Sequence, residues 1–298
     1  MSTVHKSVLY KEVLEALAVR KDETYIDATV NGGGHTRGIL EFGGKVLGVD
    51  VDPDAIRRVA NRESLVVQQR DDRLNAISDK LILVQGNFAD LTNIARESGV
   101  WKASGILFDL GVSSDQLDSA RRGFSFRNKG PLDMRMDPTL GVSAADLVNG
   151  LNEGELYELF TRYGEEPYSR RISRAIVESR LKKKIETTLE LATIVEWAVG
   201  KRGRIHPATR VFQALRIAVN DELNNLKKGL EEAVGLLKKD GRLVVISFHS
   251  LEDRSVKKFF REKQDLRILT KKPITPDGVE VLENPRARSA KMRVAQRQ

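Results

Sequence analysis

A chain of 298 residues, 40% of them hydrophobic, can bury one large core or two of ordinary size. It has no cysteine, which excludes disulfides, thiolate zinc sites and cysteine nucleophiles and fits a reducing, cytoplasmic setting. A formal charge of +8 favours a polyanionic partner. No apolar run approaches the ~18 residues of a membrane-spanning helix, and Met1–Lys6 lacks the apolar core of a signal peptide, so no membrane partner is expected.

In chain order, Val8, Leu9, Val13, Leu14 and Leu17 fall at helical spacing and predict a helix over 7–17. Strands are predicted at 24–28 and 45–49, joined through Gly32-Gly33-Gly34 and a helix that starts near Thr36. A helix runs from Pro53 to Asn61, proline suiting its first turn. Residues 68–79 are very polar and read as an exposed excursion. Lys80–Val84 and Gly105–Phe108 supply a third and a fourth strand, the fourth ending at Asp109.

The pattern then changes. Residues 111–142 are rich in Gly, Ser, Asp and Arg with little periodicity, and loops of that length inside a domain usually serve function. Only helices follow: Ala144–Asn149, Glu153–Tyr163, Ser169–Lys182 and Leu189–Val199. One long helix, Ala208–Leu237, leads to a strand at Arg242–Ser247, a helix at Leu251–Lys263, a proline-rich loop at 270–285 and a last strand at Lys291–Val294. The expected class is α/β, with a Rossmann-like sheet domain at 1–112 and 209–298 interrupted by a helical insertion at 113–208.

Asp27-Ala-Thr-Val-Asn-Gly-Gly-Gly-His35, followed by Val46-Leu-Gly-Val-Asp50, has the order strand, glycine loop, helix, strand, acid. In a parallel sheet this brings the loop and Asp50 to one edge, where glycines admit a ligand close to the backbone and a carboxylate accepts from ribose hydroxyls. Arg37 stands where a dinucleotide fingerprint needs its third glycine, and no phosphate-cradling G-x-x-x-x-G-K-[ST] is present. Three adjacent glycines without a lysine suit S-adenosylmethionine better, whose methionine end carries no phosphate; a plain glycine turn in another α/β protein is the competing reading.

Asp109 closes the fourth strand and is expected beside the glycine loop and Asp50, where it would accept from an amine; capping the following turn is its alternative. Phe88 either borders an adenine or packs in the core. Phe124 and Phe126 alternate with arginines and either stack an unpaired base or anchor their loop. His249 opens a helix after a strand and is either structural or turned to the same cleft. The four histidines, His5, His35, His206 and His249, show no zinc-helix spacing, and no metal is expected. Arg170, Arg171, Arg174 and Arg180-Leu-Lys-Lys-Lys184 bracket one helix and suit a nucleic acid or a solvated face.

Val30-Asn-Gly-Gly-Gly-His-Thr36, Val49-Asp-Val-Asp-Pro-Asp54, Phe108-Asp-Leu-Gly-Val-Ser-Ser114, Arg122-Gly-Phe-Ser-Phe126, Gly130-Pro-Leu-Asp-Met-Arg-Met-Asp-Pro138, Tyr163-Gly-Glu-Glu166, His206-Pro-Ala-Thr-Arg210, Ile246-Ser-Phe-His-Ser-Leu-Glu-Asp-Arg254 and Asn284-Pro-Arg-Ala-Arg-Ser289 follow one another along nearly the whole chain. Together they closely resemble the RsmH family, also called MraW, bacterial methyltransferases of a cytosine N4 in small-subunit ribosomal RNA. The resemblance implies a Rossmann-like methyltransferase domain with a helical substrate-binding insertion and S-adenosylmethionine as donor. It implies a target in the decoding region and a partner that is small-subunit ribosomal RNA or the small ribosomal subunit. Cofactor contacts would fall on Gly33, Gly34, His35, Asp50, Phe88, Asp109 and Gln116. Asp109 would also serve catalysis, by orienting cofactor or amine.

Two features depart from the family. Its glycine loop usually begins Phe-Gly-x-Gly-Gly-His-Ser, and here Val30-Asn31-Gly32 stands first; asparagine tolerates a left-handed backbone well enough to replace glycine. The polar stretch 68–79 is longer than usual. A nicotinamide oxidoreductase and a non-catalytic ribosomal RNA-binding assembly factor are the competing functions. The missing third glycine disfavours the first, and intact Gly33, Gly34, Asp50 and Asp109 the second.

Overall fold

A computed structural model describes residues 7–68, 80–200, 203 and 205–298, with side chains left aside at 63–68. The polar excursion expected at 68–79 lies outside the described residues except Gln68, which ends the Pro53–Gln68 helix. The chain divides into two compact units, Met1–Gly111 with Leu223–Gln298, and Val112–Glu222.

The first unit is built on a 7-stranded sheet in the order β3-β2-β1-β4-β5-β7-β6. The strands are β1 Thr24–Asp27, β2 Lys45–Asp50, β3 Leu81–Gln85, β4 Ala103–Asp109, β5 Leu237–Ser247, β6 Leu266–Ile268 and β7 Lys291–Arg297. β1 to β5 pair in parallel, while β7 runs antiparallel between β5 and β6. This is the Rossmann-like α/β class that the element order predicts.

Parallel strands need cover on both faces, and the period of two supplies it. Ile26, Leu47, Val49, Leu243 and Val245 face one core with Leu226, Leu230 and Phe260. Tyr25, Val46, Val244 and Ile246 face the other with Val13, Leu17, Ile39 and Met292. Each such side chain stabilises the fold by about 1.5–3 kcal/mol through burial.

Two elements at the chain's C-terminal end were too short to show a period: β6, with three residues, and a helix at Gly278–Glu283 inside the proline-rich loop. A short helix at Leu91–Glu97 also joins β3 to β4.

The second unit is helical: Ser114–Asp118, Ala144–Gly150, Glu153–Gly164, Ser169–Arg180, Thr188–Val199 and Ala208–Val219. Ser143, Asn152 and Thr187 each close a capping box with Asp146, Glu155 and Glu190, which fixes three helix starts. The core gathers Phe160, Ile172, Ile176, Leu191, Val195, Val211, Phe212 and Leu215.

The long helix expected at 208–237 is two helices, Ala208–Val219 and Glu222–Leu236. Asp221 adopts φ 48° between them. The Asn220 amide donates to the Met134 and Arg216 carbonyls, and its Oδ1 accepts the Met136 N–H. The unit boundary therefore falls at Glu222/Leu223, where the sequence pattern put it at 208/209. The Ala208–Val219 helix packs so closely on Glu153–Gly164 that a Cβ on Gly164 would stand 2.8 Å from the Arg210 carbonyl oxygen. Arg210 Nη1 also donates to the Glu165 carbonyl at 3.0 Å.

Candidate functional site

The strand order reverses between β1 and β4, the place in an open α/β sheet where a crevice forms beyond the carboxyl ends. Three carboxylates end the strands there: Asp27 on β1, Asp50 on β2 and Asp109 on β4. The glycine loop joins them. Asp27 accepts the Thr29 N–H at 3.3 Å and the Thr36 hydroxyl at 2.7 Å. Asp50 Oδ2 accepts the Asn31 N–H at 2.8 Å and Oδ1 the Asp52 N–H at 2.9 Å. The Asp109 N–H donates to Thr29 Oγ1 at 2.6 Å, and Asn31 Nδ2 donates to the Asp109 carbonyl at 3.0 Å. Arg62 Nη1 holds the Gly32 carbonyl from the next helix at 3.1 Å.

Gly33, at φ 78°, caps the Gly34–Glu41 helix, and Asn31 has φ 51°. The glycines have an internal reason besides any ligand. A Cβ on Gly33 would stand 2.7 Å from Val59 Cγ2, and one on Gly34 would overlap Ser7 Oγ. His35 is 4% exposed; its ring stacks on Tyr10 with centroids 6.1 Å apart, and Nε2 stands 3.7 Å from Asp109 Oδ2. The ring thus faces the acid as well as offering its backbone.

Burial sets the electrostatics. It pushes Asp27 up to about 7, against the pull of Thr36 and Thr29, and Asp50 up to about 6, against the N–H groups of Asp52 and Asn31. Asp109 is raised well above the carboxylate range by burial and then by Asp27 and Glu252. Asp109 Oδ1 is buried with no hydrogen-bond partner among the described residues. Three buried carboxyls, all raised by burial and gathered in one crevice, make a candidate functional site. A carboxylate has about four acceptor sites. Asp50 therefore keeps one on each oxygen, the number a ribose diol needs, and Asp109 keeps Oδ1 whole. The acceptor set fits a nucleoside-bearing cofactor.

The structure brings Gly33, Gly34, His35, Asp50 and Asp109 into this network. Phe88 follows β3 and packs edge-on against Phe108 with centroids 5.4 Å apart. Gln116 belongs to the second unit, where its side-chain oxygen accepts the Ser113 N–H at 3.0 Å in a capping box. His249 caps the Ser250–Glu262 helix, Nδ1 accepting the Glu252 N–H at 3.3 Å. Phe124 and Phe126 anchor the helical core, Phe126 stacking on His206 at 4.3 Å and meeting Phe212 edge-on at 5.0 Å. Sequence reasoning left Asp27, Thr29 and Asn31 out of the site. The signal for Asp27 was there: it ends an apolar strand just as Asp50 and Asp109 do.

The sheet order, the glycine loop and the acids at the switch point define a Rossmann-like methyltransferase fold. A model of the MraW methylase family matches residues 2–298. A ribosomal RNA small subunit methyltransferase H of Thermomicrobium roseum is 48% identical over 319 residues, covering 100% of this chain and 94% of that protein. Proteins of the same name from Deinococcus deserti and Geobacter sulfurreducens are 49% and 47% identical. The alignments cover 99% and 100% of this chain and 94% and 100% of those relatives. The chain belongs to the MraW methylase family.

Proposed function

We propose that this methyltransferase moves a methyl group from S-adenosylmethionine to the exocyclic N4 of a cytosine in the decoding region of small-subunit ribosomal RNA. The observation that carries this reading is the pair Asp50 and Asp109, linked through Asn31, with acceptor capacity left on both. The relatives' name supplies the class of RNA.

S-adenosylmethionine, when bound, supplies an electrophilic methyl group. The Asp50 oxygens would take the ribose hydroxyls, and Gly33, Gly34 and His35 would line the methionine end. Phe88 would border the adenine, and Gln116 would add a further cofactor contact. The Val112–Glu222 unit, with exposed Arg170, Arg171 and Arg174, would bind the RNA.

The cytosine amine is a poor nucleophile because its lone pair is delocalised into the ring. The protein must hold it in line with the methyl carbon and take up its developing positive charge, and alignment alone supplies several kcal/mol. Once ionised, Asp109 would do this work as a fixed carboxylate, not as a nucleophile.

Calorimetry tests the cofactor half. Asp50→Ala should weaken S-adenosylmethionine binding by about 1.5–3 kcal/mol through lost charge-assisted bonds; unchanged affinity would remove Asp50 from the cofactor site. Labelled donor incubated with naked ribosomal RNA or isolated subunits, followed by nucleoside mapping, tests the substrate half. Label on any position other than a cytosine N4 would overturn it.

A further inference from the structure

Asparagine at position 31 does more than tolerate a left-handed turn. Its N–H reaches Asp50 on β2 and its side-chain amide reaches the Asp109 carbonyl on β4, so one residue spans the two acidic strand ends. The amide orientation is dictated chemically, since a carbonyl accepts and only Nδ2 can donate to it. The neighbouring backbone repeats the same bridging: the Ala28 N–H donates to the Leu107 carbonyl of β4, and the Val30 N–H to the Val49 carbonyl of β2.

Asp109 is held on both sides. The Thr29 hydroxyl takes its N–H and the Asn31 amide takes its carbonyl. These two bonds fix the peptide planes flanking Asp109, and with them the direction in which its carboxyl leaves the backbone. A glycine at 31 would accept φ 51° without strain and would keep the N–H bond to Asp50. It could not reach the Asp109 carbonyl.

We infer that Asn31 is a positioning residue for methyl transfer: its side chain aims Asp109, while its backbone serves Asp50. The inference rests on the role of Asp109 proposed above. It separates two functions inside one residue. Side-chain loss should spare cofactor binding and slow transfer.

The test uses the full-length protein and single-turnover methylation of small subunits at saturating S-adenosylmethionine. Asn31→Gly should keep cofactor affinity within about twofold and lower the transfer rate about tenfold or more. Asn31→Asp keeps the shape and the left-handed tolerance but turns an acceptor toward the carbonyl, and should lower the rate at least as far. Because Asn31 acts through Asp109, the Asn31→Gly effect should shrink to less than about twofold in an Asp109→Asn background. A purely structural role would instead reduce cofactor affinity and rate together, additively in both backgrounds, and that result would overturn the inference. So would a wild-type rate in a folded Asn31→Gly or Asn31→Asp protein. A wild-type protein that transfers no methyl group would overturn both the parent reading and this role.

Discussion

In the first unit, Asp27, Asp50 and Asp109 are buried; backbone N–H groups and the Thr36 hydroxyl donate to the Asp27 and Asp50 carboxylates, and the Asp109 carboxylate faces His35 Nε2 at 3.7 Å. In the second unit, Asp133, Asp146 and Glu190 instead meet cations or cap helices. Asp133 grips the Arg135 guanidinium with both oxygens, at 2.8 and 2.9 Å, Lys183 pairs with Glu190 at 2.7 Å, and Asp146 caps through Ser143. The titration directions follow. Burial carries the first set up. In the second set the Lys183 hydrogen bond takes Glu190 down to about 2, and the Ser143 hydroxyl lowers Asp146. Burial would raise Asp133, but Arg135, through its guanidinium and its N–H, outweighs it. The difference is the one expected between charge kept for chemistry and charge spent on architecture. A fold gains nothing from a buried acid with an unpaired oxygen.

The sharpest way to break this comparison is at Asp109. Asp109→Asn keeps the size and loses the charge, and should slow single-turnover methylation by at least ~10²-fold. If the buried, unpaired carboxyl is a cost to the fold, the same variant should be more stable, by about 0.5–2 kcal/mol. Thermal melting reads this as a rise of roughly 2–4 °C per kcal/mol. A slow variant that is also less stable would mean that Asp109 serves the architecture. Any covalent enzyme–RNA adduct would refute direct transfer altogether.

The second test uses pH. A folded pKa raised above the unfolded value favours folding while the group is protonated, and that stability is lost as pH rises through the interval. For Asp27 and Asp50 the interval runs from the usual 3.8 to about 7 and about 6. Amide exchange, corrected for intrinsic rates, should therefore show β1, β2 and β4 losing protection between pH 4 and 7. The helical unit should hold steady there and weaken only as pH falls below the usual carboxylate range, because Glu190, Asp133 and Asp146 are lowered. Cofactor affinity should move the other way. If ribose hydroxyls bind the ionised Asp50, affinity should fall up to about tenfold per pH unit below 6 and level off above it. A flat affinity from pH 5 to 8 would detach Asp50 from the ribose.

The contrast also explains what the sequence could show. Asp50 and Asp109 were legible because apolar strands ending in an acid announce themselves, and the glycine run located the crevice. Asn31 was legible only as a tolerated turn residue, since its bond to the Asp109 carbonyl spans 78 residues of chain. Likewise, the break at Asn220-Asp221 has no local periodicity to mark it; it comes from Asn220 bonding to Met134 and Met136, 86 and 84 residues away. Gln116 and His249 show the opposite limit: each also closes a helix cap, a role that no sequence pattern assigned to it.

On the helical unit the comparison predicts a weaker, salt-sensitive effect. Arg170, Arg171 and Arg174 are exposed, with the Arg170 guanidinium 5.5 Å from the Tyr157 ring centroid. Replacing all three with glutamate should weaken subunit binding by on the order of tenfold at ~0.1 M salt and flatten the salt dependence. Cofactor affinity should not change, since the acids of the crevice belong to the other unit. Normal RNA binding by the triple variant would reduce the cluster to a solvated face.

The smallest effect distinguishes architecture from binding within that cluster. Arg174 Nε donates to Glu178 Oε1 at 3.0 Å, an i,i+4 pair with both side chains more than half exposed. Such a pair contributes about 0.3–0.5 kcal/mol to its helix, so Glu178→Gln should leave the melting temperature nearly unchanged. If Arg174 faces phosphate in the complex, Glu178 competes for it and repels the backbone. Removing that charge should then tighten binding about twofold at low salt, and the gain should vanish as salt screens it. If Arg174 serves only its helix, Glu178→Gln changes neither binding nor its salt slope. Titrating the single variant against wild type at two ionic strengths decides between them, because the salt dependence appears only when the arginine exchanges one anion for another.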